Sequence, residues 1–79
     1  MSFPPVTHLA LTVRDLAVST PWYRALIGSD PVLDEDTEPG FHHSVFLLDN
    51  GTLLGLHQHT TPPADQPFSE HNVGLDHVA

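Results

Sequence analysis

Val6-Thr7-His8-Leu9-Ala10-Leu11-Thr12-Val13 alternates along its whole length. Successive side chains of a strand point to opposite sides, so Leu9, Leu11 and Val13 share one face and Val6, His8, Ala10 and Thr12 the other. The first is the better core face. The second is smaller and more polar, which suits the wall of a cavity. His8 is the residue there able to bind a metal or move a proton near neutral pH; the plainer alternative is a hydrogen-bonded sheet histidine. The opening of this strand returns at the other end of the chain, where Asp76-His77-Val78-Ala79 repeats the order polar, His, branched aliphatic, Ala. A strand opening that recurs points to one structural unit followed by the start of a second.

Seventy-nine residues make one small domain at most, marginal on its own. There is no Cys to staple it by disulfide or thiolate metal site. Ten acidic residues stand against two arginines, for a net charge of -8. That balance argues against nucleic acid as a partner, and against an anionic membrane surface, since both are met with Lys and Arg. Met1-Ser2-Phe3-Pro4-Pro5 lacks the basic region and long apolar run of a signal peptide. No stretch approaches the ~20 apolar residues of a membrane span. A cytoplasmic protein is expected.

Asp15 can cap a helical turn after the strand, and Ser19 or Thr20 offers a second start with Pro21 inside the first turn. The reading is a separate turn at Asp15-Leu16-Ala17-Val18, then a main helix over about residues 19–27. Leu16, Trp22, Tyr23, Leu26 and Ile27 would form its buried stripe, and Gly28 its stop. Pro31-Val32-Leu33 opens an extended segment that turns acidic at Asp34-Glu35-Asp36, a solvated edge or loop. Glu38-Pro39-Gly40 is a turn. Residues 41–48 read as a strand, and Asp49-Asn50-Gly51 as a short hairpin that returns residues 52–59 antiparallel to it. On the returning strand Leu54 and Leu56 share one face, and Leu53, Gly55, His57 and His59 the other. Residues 60–67 are polar and proline-rich and cannot continue a sheet. Residues 74–79 look like another strand, inside which the sequence stops, as in a truncated product.

Several of these segments carry a resemblance. Residues 6–16, from Val6-Thr7-His8-Leu9-Ala10 to the Arg14-Asp15-Leu16 corner, are followed by Pro21-Trp22-Tyr23-Arg24-Ala25-Leu26-Ile27-Gly28. Together they resemble the opening of the vicinal oxygen chelate superfamily, which includes glyoxalase I, bleomycin-resistance proteins and extradiol dioxygenases. Asp49-Asn50-Gly51-Thr52-Leu53-Leu54-Gly55-Leu56-His57 is similar to the family's third and fourth strands, and Gly74-Leu75-Asp76-His77-Val78-Ala79 to the start of its second module. The resemblance implies an α+β fold: a single βαβββ module with a mixed, curved four-stranded sheet, plus the first strand of a second module. The domain boundaries that follow are 1–59 for the module, 60–72 for the linker and 73–79 for the start of the second module. The helix is expected on the face bearing Leu9, Leu11, Val13, Leu54 and Leu56.

By the same resemblance, His8 and His77 occupy first-strand metal-ligand positions. The fourth-strand ligand position falls on Gly55, which has no side chain to offer. His57, two residues on and on the same face, could substitute, or be an ordinary strand histidine. His42, His43, His59 and His71 match no ligand position and are expected at the surface. A divalent Zn, Ni, Mn or Fe(II) ion would suit imidazole and carboxylate ligands with open positions.

Two functional classes stay open. One is a metal-dependent lyase, isomerase or dioxygenase acting on a small oxygenated molecule. The other is a metal-free protein of the drug-sequestering kind, whose cavity holds a small apolar or aromatic ligand. In both, an uncovered sheet face and an orphan strand lead us to expect a homodimer.

Overall fold

The computed structural model describes residues 5–37, 40–61 and 68–77. Glu38 and Pro39 of the expected turn, residues 62–67 of the expected linker, and Val78 and Ala79 lie outside them. The elements run β1 (His8–Thr12), α1 (Leu16–Ile27), β2 (Leu33–Thr37), β3 (Phe41–Leu47) and β4 (Leu53–His59). The four strands form one mixed sheet in the order β1-β4-β3-β2. β1 runs parallel to β4, while β4 with β3 and β3 with β2 are antiparallel. This is the expected βαβββ module.

The helix is a single element. The Asp15 carboxylate accepts from the Ala17 amide at 2.9 Å, and Val18 and Ser19 donate to the Asp15 carbonyl. The turn expected at residues 15–18 is thus the first turn of α1, and Pro21 lies inside the helix. That proline removes one helical hydrogen bond. Two contacts offset the loss: Leu16 is buried in the core, and its amide donates 2.7 Å to the Gln58 Oε1 across the sheet. At the other end Gly28 takes φ 86°, and its amide closes on the Arg24 carbonyl at 2.8 Å.

Starting the helix at Leu16 also sets its phase. Leu16, Thr20, Tyr23 and Ile27 face the sheet, at the spacing of one helical stripe. The expected stripe is corrected at Trp22 and Leu26, which are 60% and 66% exposed. Of the aromatic pair, only Tyr23 packs on the core; Trp22 meets its ring edge-on.

Cross-strand register fixes the two faces of the sheet. Leu9 is level with Leu54, and Leu11 with Leu56. Leu54 is level with Phe46, and Leu56 with Ser44. This is the helix face. Leu16, Phe46 and Leu56 form its centre, with Leu11, Val13 and Leu54 packed around them. Leu9 shares the face but lies towards its border, half-buried. Phe46 and Leu56 have no exposed surface, worth about 2 kcal/mol each in transfer energy. One polar pair is enclosed with them, Thr20 Oγ1 to Ser44 Oγ at 3.1 Å.

The acidic stretch is edge strand β2. Its carboxylates meet histidines on β3: Asp34 and Asp36 contact His42 on the helix face, and Glu35 lies 3.3 Å from His43 on the opposite face. Charges on an edge strand also discourage pairing with a stray chain. Residues 75–77, expected in a strand, are irregular. They lie beside the free edge of β1, where Leu75 and His77 border the same groove as Leu11 and Val13. Among the described residues no helix is long and apolar enough to cross a membrane.

Candidate functional site on the open sheet face

The face turned away from α1 carries His8, Ala10 and Thr12 from β1, and Leu53, Gly55, His57 and His59 from β4. Phe41, His43, Val45 and Leu47 come from β3, and Leu33, Glu35 and Thr37 from β2. At its middle is a shallow depression of about 350 Å³, a size that suits a small molecule. His8, His43 and His57 border it, with Gly55 on its floor and Leu33 and Val45 among its apolar walls.

Gly55 leaves room at the centre. A Cβ placed on it would stand 3.4 Å from the His57 Nε2 and 3.8 Å from the Ala10 Cβ. The His57 imidazole therefore leans back over Gly55, and Gly55 is buried although it has no side chain of its own. On its other side the His57 ring stacks on Phe41, with centroids 4.4 Å apart and planes 17° from parallel. His43 is directly opposite His57 in the ladder, with ring centroids 5.8 Å apart. Burial is the main cause that holds the His57 pKa below its ordinary value, followed by repulsion from His43 and His59. A neutral imidazole is the form that offers a lone pair to a metal or accepts a proton.

The three expected site histidines are placed differently. His8 and His57 border one depression. His8 is exposed, with the Thr7 hydroxyl 3.5 Å from its Nδ1. His77 borders the neighbouring groove along β1, where its Nδ1 meets the Asp76 carboxylate at 2.5 Å. Among the described residues no group of three or more His, Asp or Glu is assembled to hold a metal. His8 and His57 line the same depression, and the described residues place no third metal-binding side chain with them.

One residue expected at the surface is largely covered on this face: the His43 side chain is only 16% exposed. His59 is exposed as expected and lies on the face read for it, its ring 5.5 Å from Phe41. The hairpin held the signal. Partners on β3 and β4 lie equally far from Asn50, so reflecting His57 through the Asp49-Asn50-Gly51 turn lands on His43.

The Glyoxalase/Bleomycin resistance protein/Dioxygenase superfamily model matches residues 6–79, nearly the whole chain. The chain belongs to this superfamily. A glyoxylase/bleomycin resistance protein/dioxygenase domain from Frankia sp. EAN1pec has a crystal structure similar to this one, at a TM-score of 0.79 and 28% sequence identity. The match covers 95% of this chain and 54% of that one, so this superfamily member spans about half the length of the Frankia domain. No curated protein matches the sequence.

Proposed function

We propose that this superfamily member is a metal-dependent lyase, isomerase or dioxygenase acting on a small oxygenated molecule. The observation that carries this reading is that His8 and His57 both line one depression, with Gly55 on its floor. His8 and His57 would each give one imidazole to a divalent Zn, Ni, Mn or Fe(II) ion, with His77 a further ligand once a second module is in place. When bound, such an ion supplies Lewis acidity towards vicinal oxygens of the substrate. The remaining work falls to the chain. Leu33 and Val45 would give one side of the depression an apolar wall, and His43, partnered by Glu35, would hold or pass a proton. A homodimer would supply the second module.

Isothermal titration of the protein with Zn, Ni, Mn and Fe(II) under anaerobic conditions tests the reading. One strong site is expected, weakened at least tenfold in His8→Ala and in His57→Ala. Binding unchanged in both variants would defeat it. A second reading, a metal-free protein that sequesters a small apolar or aromatic ligand, is favoured by the Gly55 vacancy and the apolar walls of the depression. It predicts that the protein binds no divalent cation yet takes up flat apolar probes on the same face.

A further inference from the structure

The stack between Phe41 and His57 is not explained by pairing in the ladder. Phe41 is level with His59, and His57 with His43. Phe41 nonetheless stacks on the diagonal neighbour, at 4.4 Å and 17°, while its ring is 5.5 Å from His59 and tilted by 50°. Diagonal neighbours on one face of an antiparallel pair lie within reach of aromatic side chains. Gly55 is the second half of the arrangement. A side chain longer than alanine there would compete with the His57 imidazole, whose Nε2 stands 3.4 Å from a Cβ at that position. The imidazole therefore has Phe41 on its face, His43 at its edge and Gly55 beneath it.

We propose that Phe41 is a positioning residue, whose ring holds the His57 imidazole in the space left at Gly55 with Nε2 presented to the depression shared with His8. The proposal rests on the metal-centre reading above for its functional meaning, but the placement of the ring is testable by itself. An imidazole on a strand is otherwise free to rotate about two bonds, and a donor that must first be ordered binds more weakly. An aromatic stack contributes enough to change binding roughly two- to tenfold if all of it goes into ordering the donor.

The test uses the whole chain carrying Phe41→Leu, Phe41→Met or Phe41→Tyr. The leucine and methionine variants keep apolar bulk and remove the stack; tyrosine keeps it. NMR reads the ring directly. Nuclear Overhauser contacts from the His57 ring protons to the Gly55 α-protons are expected in the parent protein and in Phe41→Tyr. They should be lost in Phe41→Leu and Phe41→Met. Calorimetry with Co(II) alone should show roughly two- to tenfold weaker binding in the variants that lose them, and parental binding in Phe41→Tyr. Contacts that persist in both apolar variants overturn the proposal, as does their loss with Co(II) affinity unchanged. If the parent protein binds no Co(II) while the contacts follow the stack as described, Phe41 positions His57 and the metal-centre reading is the one that fails.

Discussion

The His57 Nε2 lies 3.4 Å from the point a Cβ on Gly55 would occupy, so the imidazole of one residue covers the backbone of the other. Contact at that distance is ordinary, and Gly55 does not need a positive φ. Gly55→Ala is therefore expected to fit and to stabilise the protein by about 0.5–1 kcal/mol, because glycine in a strand interior costs more backbone entropy than alanine. Urea unfolding checks this. A loss of stability would show that His57 cannot yield. Gly55→Glu is different: its carboxylate needs the volume His57 fills. Combined with His57→Ala it should recover the Co(II) binding that His57→Ala loses.

The hydroxyl pair beneath the helix gives a second prediction. Ser44 is 1% exposed and its Oγ is 3.1 Å from the Thr20 Oγ1. Ser44→Ala leaves the threonine hydroxyl buried without that partner and should cost about 1–3 kcal/mol. Replacing both, as Thr20→Val with Ser44→Ala, should recover most of the loss. A double-mutant cycle by urea unfolding measures the coupling; additive losses would mean that water or backbone already satisfies Thr20.

Much of this arrangement was legible from the chain. The alternation of residues 6–13 and of residues 52–59 places the core residues of β1 and β4 on their observed faces, because the period of a strand fixes which side chains share a side. The phase of the helix is not legible in the same way, because a proline reads as a first-turn residue and Pro21 lies further in. Tertiary contacts of Leu16, invisible to local propensity, extend α1 towards Asp15 and turn Trp22 outward. Phe41 and His43 escaped notice for a related reason. Their importance lies in which residue is opposite and which is diagonal, a property of pairs and not of single positions.

The histidine on the helix face predicts a pH dependence. Hydrogen bonds that the His42 imidazolium donates to Asp34 first, and to Asp36 second, raise its pKa above the ordinary 6.5. A raised pKa in the folded state means a contribution that is fully present below pH 6.5 and lost as pH rises through the higher folded value. His42→Gln should thus destabilise the protein more at pH 5.5 than at pH 8.5. The difference should be on the order of 0.5 kcal/mol, since the pair is partly exposed and screened by solvent. Thermal unfolding of both proteins at both pH values measures it, and an equal loss at each would remove the ion pair from the account.

The final prediction concerns assembly. The open face and the adjoining tail leave Leu47 50%, Leu53 36% and Leu75 62% exposed. Large apolar residues gathered on an uncovered sheet face are a site of association. The chain matches 54% of the Frankia domain, and a second copy docked on the open face is the arrangement this prediction tests. A self-complementary dimer would bury both open faces and bring a second set of histidines towards His8 and His57. Light scattering at micromolar concentration should therefore report a dimer. Leu53→Glu, which puts a charge on the open face, should shift it to monomer, and Trp22→Glu, on the outer face of α1, should leave it intact. If Trp22→Glu dissociates the dimer and Leu53→Glu does not, the helices and not the sheets form the interface. A clean monomer with one cooperative unfolding transition would show that the module stands alone with its histidine face open to solvent.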